Sequence, residues 1–244
     1  MHNITSSLFE RLGLNAYTLG KYAVAEKWFR RLEKREPDSL RVIRNVALVR
    51  FAQGEYADAE AYFLREESRF GASYQRHRAL ADTAYALGKR TDAMRRYKAA
   101  LEDPESAERY PKERAFLQAR ITLCADETAF ARRIGSAGLF AQAEHSRDRS
   151  DEAGRTKDTV LMMKAAEEAV ALFLKAHDAD PTNWPALNNA GAILMNSLKQ
   201  PERALECFTK AIELCDIDSL RHNRGLAEAS IEKAKEKNQG KGKK

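Results

Sequence analysis

The 244-residue chain has few of the residues that interrupt regular structure, with only 6 prolines and 12 glycines. This scarcity excludes collagen-like chains and proline-rich disordered chains. No uninterrupted apolar run reaches the length of about 18 residues that a membrane helix needs, so no membrane span is expected. The first ten residues lack the basic start and the apolar stretch of a secretory signal peptide, so none is expected.

Cysteine is rare as well, since the chain holds only Cys124, Cys207 and Cys215. Three cysteines so far apart do not make a disulfide framework. We expect them to be free thiols in a reducing compartment, which predicts a cytoplasmic location. The five histidines show no metal-ligand spacing, and no glycine-rich phosphate loop follows a strand. We therefore expect no metal, no cofactor and no enzymatic activity. A distant Cys–His pair stays open, because catalytic partners can be far apart in the chain.

Alanine is abundant, with 40 residues, and alanine is the best helix former. The net charge of +6 is uneven along the chain. The first 100 residues hold 19 basic and 12 acidic side chains, residues 101–232 hold 17 and 23, and the last twelve hold six lysines and one glutamate. Most of the surplus is thus a lysine tail. Because no basic stripe with interleaved aromatics accompanies it, nucleic-acid binding is not favoured.

A period of 34 residues runs through the first part of the sequence. It indicates a repeat protein, whose units must stack because one alone cannot bury its apolar face. A second set recurs at a step of 35, where Ala169, Phe173 and Ala176 are followed by Ala204, Phe208 and Ala211. The positions related by the step of 34 are Gly20, Gly54 and Gly88; Ala25, Ala59 and Ala93; Phe29, Phe63 and Tyr97; and Leu12, Val46 and Leu80.

Each period predicts two helices joined by a tight turn. Gly20 ends the first helix, because a left-handed backbone costs least at glycine. In the second helix, Ala25 allows the two backbones to approach closely, and Phe29 fills the seam one turn later. Pro37 stops the second helix.

The run Phe9-x-x-Leu12-Gly13-x-x-x-Tyr17-x-x-Gly20-x-Tyr22-x-x-Ala25-x-x-x-Phe29-x-x-Leu32-x-x-x-x-Pro37 resembles a tetratricopeptide repeat. Residues 40–73 and 74–105 resemble further copies, although Gly71 replaces the closing proline. Residues 169–181 match the second helix of another repeat, and residues 184–217 resemble a complete one. The resemblance implies an all-α fold, a right-handed α-solenoid of stacked helix–turn–helix repeats with a C-terminal capping helix.

The predicted organisation leaves the middle of the chain open. Residues 141–158 contain nine charged side chains and nothing apolar larger than alanine, so we read them as an exposed loop or a solvated helix end. The solenoid either continues through a degenerate repeat or breaks into two arrays, 1–105 and 155–237. The predicted parts are three repeats at 6–105, a degenerate repeat with a charged insertion at 106–158, two repeats at 159–217 with the first one partial, a capping helix at 218–237, and a disordered lysine-rich tail at 238–244.

The resemblance also implies where a ligand lies, because in this family the first helix of each repeat lines a concave groove. Aromatic side chains there predict a floor and arginines a rim, which together would receive an acidic peptide through charge-assisted contacts. The alternative is a solvated face whose arginine stems cover apolar surface. The implied residues are Glu10, Leu14 and Tyr17; Arg41, Arg44, Asn45, Leu48 and Phe51; Gln75, Arg78, Asp82 and Tyr85; and, in the repeat at 184–217, Asn188 and Asn189.

These observations predict a non-catalytic scaffold or adaptor that binds a peptide segment of a partner protein. Two other functions stay open: a nucleic-acid- or ribosome-associated protein that uses the lysine-rich tail, and a regulatory subunit of an enzyme complex. Pairing between the basic first part of one copy and the acidic later part of another would make a homo-oligomer.

Overall fold

The computed structural model describes residues 4–241, which form α-helices and one short 3-10 turn, with no strand among them. The predicted all-α repeat fold is confirmed. The chain divides into two compact units, Met1–Arg109 and Tyr110–Lys244, which we call unit 1 and unit 2. Within the described part of the chain, no helix combines the length and the apolar character that a bilayer crossing requires.

Unit 1 contains three helix pairs followed by one short helix. Each pair packs on the next, because the second helix of one repeat contacts the first helix of the following repeat. The pairs are α1 (Ile4–Thr18) with α2 (Tyr22–Glu33), α3 (Leu40–Ala52) with α4 (Tyr56–Phe70), and α5 (Tyr74–Ala86) with α6 (Arg90–Glu102), and the short helix is α7 (Pro104–Glu108).

The turns inside the three pairs form as the period predicts. Gly20, Gly54 and Gly88 have φ angles of 70°, 79° and 77°, in the left-handed region that favours glycine. Gly71, which stands at the position of Pro37 in the first repeat, also has a positive φ of 77° and ends α4. A left-handed glycine thus replaces proline as the stop signal at this position.

The seam of the first repeat depends on one close contact between glycine and an aromatic ring. A Cβ atom added at Gly13 would lie 2.5 Å from Cε1 of Phe29, a side chain that is 1% exposed. Unit 2 repeats the arrangement, since a Cβ atom at Gly191 would lie 2.6 Å from Cε1 of Phe208. Both glycines sit mid-helix because no larger residue fits against the ring.

Replacing Gly13 or Gly191 by alanine is expected to lower the free energy of unfolding by about 1–2 kcal/mol. The overpacking cost of about 1–3 kcal/mol exceeds the gain in helix propensity of up to about 1 kcal/mol. Gly138→Ala is the matched control, because Gly138 is helical and has nothing within 4 Å of an added Cβ. Urea titrations should show Gly138→Ala neutral or stabilising, and equal effects at all three glycines would contradict the packing argument.

Unit 2 begins with a 3-10 turn and two short helices and continues as a stack of longer ones. Within the stack, α10 packs on α11, α11 on α12, α12 on α13 and α13 on α14. The elements are the turn Pro111–Glu113, α8 (Arg114–Ala125), α9 (Glu127–Arg132), α10 (Ile134–Arg155), α11 (Thr159–Ala179), α12 (Trp184–Asn196), α13 (Pro201–Leu214) and α14 (Asp218–Lys241).

The charged stretch 141–158 is mostly helix rather than an exposed loop, because α10 runs through it to Arg155. Its buried residues are small and recur every three or four positions, so they face one side of the helix. This stripe lets α10 pack along α11, with the Ser150 hydroxyl donating to the Met162 carbonyl oxygen at 2.9 Å. The charges occupy the remaining faces. The stripe consists of Ala143, Ser146, Ser150 and Ala153.

Helix α10 completes the repeat that the sequence analysis predicts as partial. It pairs with α11 through Phe140 and Phe173, whose ring centroids lie 5.0 Å apart. Helix α8, in contrast, contacts α13, and Arg120 pairs with Asp180 after α11. The division between the units falls at residues 109 and 110, so most of the segment 106–158 belongs with the C-terminal helices.

The C-terminal helix α14 covers α13 with Leu220 and Ala227, which are 1% and 0% exposed. It begins at Asp218, as predicted for the capping helix, and runs to Lys241, past the predicted end at residue 237. The remainder of the tail predicted to be disordered, residues 242–244, lies outside the described residues.

Candidate functional site

The first helices of the three repeats in unit 1 form one connected face. Glu10 on α1 pairs with Arg41 on α3, and Nη1 of Arg44 on α3 donates to Oε1 of Gln75 on α5 at 2.6 Å. Two contacts of the same kind, each spanning 31 residues, thus join α1 to α3 and α3 to α5. We call this surface the α1–α3–α5 face.

The predicted aromatic floor is partly buried by the protein itself. The rings of Tyr17 and Tyr22 lie 5.5 Å apart, and those of Phe51 and Tyr56 lie 5.2 Å apart. Tyr85 is only 6% exposed, so it belongs to the core. Burial raises the pKa of Tyr17, and the neighbouring Tyr22 hydroxyl adds to the effect. Half-buried Tyr17 and Phe51 are thus the two floor rings that a ligand can reach.

The predicted arginine rim already has carboxylate partners. Arg41 pairs with Glu36, at 3.4 Å, as well as with Glu10. Arg78 pairs with Asp82 at 2.9 Å. A ligand carboxylate would therefore have to exchange with a carboxylate of the chain, and it would do so most easily at Arg41, whose side chain is 40% exposed.

Arg44 has a structural partner that the sequence analysis missed. Its Nε donates to Oε1 of Glu66 at 3.0 Å, and Nε of Arg76 donates to the same oxygen at 3.0 Å. The Glu66 side chain is 1% exposed, so this carboxylate joins α3, α4 and α5 inside the unit. The repeat pattern does indicate that Glu66 is buried. A step of 34 relates Glu66 to Leu32 and Ala100, which are both 0% exposed core residues.

Two leucines on the α1–α3–α5 face are open to solvent, and the sequence analysis placed both in the groove. Leu14 is 43% exposed and Leu48 is 37% exposed. Asn45 is half-buried beside them on α3, and its side chain has no hydrogen-bond partner among the residues that the structure describes. Together with Arg41, Gln75 and the half-buried rings of Tyr17 and Phe51, these positions make up the accessible part of the predicted site in unit 1.

The predicted asparagines lie in unit 2, where both amides are engaged. Oδ1 of Asn188 accepts a hydrogen bond from Nδ2 of Asn223 on α14 at 3.0 Å. Nδ2 of Asn189 donates to Oε1 of Glu144 on α10 at 3.2 Å. The first helices α10, α12 and α14 are thus joined by side chains. A cavity between α10 and α12 has a mixed lining of Arg147, Asp151, Asn189, Asn196 and Ser197 together with Ala192 and Ile193.

The three cysteines are buried thiols that pack within unit 2. Burial raises the pKa of the Cys207 thiol, which makes this thiol a weak nucleophile at neutral pH. Within residues 4–241, no group of three or more histidine, cysteine, aspartate or glutamate side chains is placed to hold a metal ion.

Stacked helix pairs with glycine turns and a shared first-helix face define a helical repeat protein. Residues 10–73 match the family model of the tetratricopeptide repeat. This part of unit 1 therefore consists of tetratricopeptide repeats. No curated protein sequence matches the chain at a significant level.

Several solved structures are similar over most of the chain at low sequence identity. MamA from Desulfovibrio magneticus RS-1, residues 41 to the end, is 12% identical; the match covers 88% of this chain and 97% of that one, with a TM-score of 0.45. YrrB, described as a TPR protein with an unusual peptide-binding site, is 14% identical, with coverages of 92% and 90% and a TM-score of 0.41. TTC0263, a TPR protein from Thermus thermophilus, is 18% identical, with coverages of 92% and 99% and a TM-score of 0.42.

Proposed function

We propose that the chain is a non-catalytic interaction scaffold that binds a polypeptide segment of a partner protein on the α1–α3–α5 face of unit 1. The observation that carries the proposal is the continuity of this face, joined by Glu10 with Arg41 and by Arg44 with Gln75. A continuous face along three stacked helices suits an elongated ligand better than a small molecule.

The accessible residues support a ligand with both apolar and acidic side chains. Leu14 and Leu48, with half-buried Tyr17 and Phe51, offer apolar contacts. Arg41 offers a guanidinium to an acidic residue that displaces Glu10, which keeps acidic character as part of the proposal. Arg44 is tied to the buried Glu66, so we do not assign it to the ligand.

Photo-crosslinking in living cells of the source organism tests the proposed face. A photoreactive amino acid is placed at Leu48, and the same residue at Val160 of α11, which is 81% exposed, serves as the matched control in unit 2. We expect a discrete partner to crosslink at position 48 and not at position 160. Adding Arg41→Glu should reduce that product about tenfold or more, since a charge-assisted hydrogen bond contributes about 1.5–3 kcal/mol.

Two outcomes would count against parts of this proposal. The same product at both positions would mean that the α1–α3–α5 face has no specific role. A product at position 48 that is insensitive to Arg41→Glu would keep the face and remove the acidic contact. Arg41 suits this test better than Arg44, because its partners Glu10 and Glu36 are partly exposed and can be solvated, whereas a change at Arg44 would leave the buried Glu66 with one partner fewer.

A further inference from the structure

The outer face of α2, which points away from the second repeat, carries cations without carboxylates. Lys27, Arg31, Lys34 and Arg35 are exposed. Lys27 and Arg31 stand four residues apart on one side of α2, and Arg35 lies in the turn after α2, against the Phe9 ring. Neither Arg31 nor Arg35 pairs with a carboxylate among the residues that the structure describes. We call this surface the α2 edge.

The three carboxylates of residues 22–36 point the other way, toward the second repeat. Oε2 of Glu26 accepts a hydrogen bond from Gln53, whereas Glu33 accepts from Tyr62 and Glu36 pairs with Arg41. The hydrogen bond from Gln53 lowers the pKa of Glu26 despite its partial burial, with Arg50 and Arg30 contributing. The separation of charge on α2 is therefore a consequence of its packing.

The α2 edge also contains a small aromatic and apolar surface. The rings of Phe9 and Trp28 lie 5.6 Å apart, and the guanidinium carbons of Arg31 and Arg35 lie 4.7 Å from the Trp28 ring centroid and 5.1 Å from that of Phe9. Leu8 beside them is 40% exposed. The guanidiniums of Arg31 and Arg35 thus pack on aromatic rings instead of pairing with a carboxylate.

The step of 34 residues shows what these positions do inside the protein. It relates Trp28 to Tyr62, Arg31 to Arg65 and Arg35 to Arg69. In the second repeat, Tyr62, Arg65 and Arg69 all contact either the preceding helix α2 or the loop that follows α2. The contacts are Tyr62 to Glu33 at 3.0 Å, Arg65 to Glu33 at 3.5 Å and to the Pro37 carbonyl oxygen at 2.8 Å, and Arg69 to Asp38 at 2.5 Å.

The apolar positions follow the same correspondence. Leu8 and Phe9 correspond to Val42 and Ile43, which are both 0% exposed in the second repeat. The junction between the second and third repeats has a comparable contact. A step of 34 relates Tyr62 to Arg96 and Glu33 to Glu67, and Arg96 pairs with Glu67. The α2 edge therefore carries the side chains of a repeat–repeat junction with one half uncovered.

We propose that the α2 edge is a second interaction site, which binds an acidic amphipathic helix of a partner polypeptide as the second repeat binds α2. A carboxylate in the position of Glu33 would accept from the indole N–H of Trp28 and from Arg31. An acidic residue in the loop, corresponding to Asp38, would pair with Arg35. Apolar side chains of the helix would cover Leu8 and Phe9.

The same surface favours a helix over a nucleic acid. Arg31 and Arg35 lie against the rings of Trp28 and Phe9, which leaves less ring surface for base stacking. The internal junctions use carboxylates at fixed positions as partners of these residue types. The site is distinct from the α1–α3–α5 face, so variants at one need not affect the other.

The chain itself supplies a probe for this proposal. A synthetic peptide with the sequence of residues 22–39, which is the segment that covers the second repeat, is prepared with Trp28→Phe. It is titrated into the full chain carrying Trp184→Phe, so that Trp28 of the protein is the only tryptophan present. We expect saturable binding with a Kd in the micromolar range and a change in Trp28 emission.

Charge variants on both sides test the assignment. Arg31→Glu with Arg35→Glu in the chain, or Glu33→Gln with Asp38→Asn in the peptide, should each weaken binding about tenfold or more. Arg95→Glu with Lys98→Glu on α6 is the control, because both side chains are exposed cations elsewhere in unit 1. Circular dichroism checks that all variants remain folded.

Three results would overturn the proposal. The first is no saturable binding of the peptide below about 1 mM, and the second is equal weakening by the α6 control. The third is tighter binding of a single-stranded oligothymidylate than of the peptide, with loss of that binding in the Arg31 and Arg35 variant, which would assign the α2 edge to nucleic acid instead.

Discussion

Replacing Glu66 by glutamine is expected to lower the free energy of unfolding of unit 1 by about 3–5 kcal/mol. The carboxylate is 1% exposed and accepts hydrogen bonds from Arg44 and Arg76, whose side chains are 30% and 9% exposed. Removing its charge leaves two guanidiniums close together with no carboxylate between them, and breaking a buried ion pair from one side costs about this much. Chemical denaturation followed by circular dichroism measures the loss.

The matched control for Glu66 is another glutamate on the same helix. Glu60→Gln removes a carboxylate that pairs with Lys89 at the surface, at 2.6 Å, and should cost less than about 1 kcal/mol. Similar losses for the two variants would mean that the Glu66 cluster contributes no more than a surface ion pair. Because a domain is stable by only about 5–15 kcal/mol, the expected loss is large enough to change the folded fraction on warming.

Replacing Phe173 by alanine is expected to cost about 3–5 kcal/mol in unit 2, because the ring is 0% exposed and its removal leaves a cavity. The ring packs edge-on against Phe140 of α10 at 5.0 Å, so this variant also tests whether α10 completes the repeat. A double-mutant cycle with Phe140→Ala should give a coupling energy of about 0.5–1.5 kcal/mol.

The control for the Phe173 variant is Leu161→Ala at the start of α11. Leu161 is 46% exposed, so its truncation should change the free energy of unfolding by less than about 0.5 kcal/mol. Additive losses at Phe140 and Phe173 would contradict the packing of α10 on α11, since residues that do not touch show little coupling.

The helices of unit 1 could be predicted because their seams repeat the same residue types at the same step. Gly20 and its two counterparts adopt the left-handed backbone that the pattern requires, and Ala25 and Phe29 are buried as expected. Helix α10 could not be found in this way. Its buried side is a stripe of alanine and serine, such as Ala143 and Ser146, and small residues of this kind also occur in loops.

The sequence predicts which helices carry the candidate site, but not which of its side chains are already bound by other residues of the chain. The sequence places Arg41, Arg44 and Arg78 on first helices, but it does not say which carboxylates will reach them in the folded chain. That depends on neighbours 31, 22 and 4 residues away, respectively, and on side-chain rotamers. The division of the arginines into structural Arg44 and partly accessible Arg41 therefore required the structure.

The contacts that tie neighbouring repeats of unit 1 together link residues only about thirty positions apart, as Glu10 with Arg41 and Tyr62 with Glu33 do. Unit 1 therefore behaves as a one-dimensional stack, in which folding starts locally and spreads from one repeat to the next. Local unfolding should begin at a helix pair that packs against a neighbouring pair on one side alone. Amide protons of α1 should accordingly exchange with solvent faster than those of α4, which lies between α3 and α5.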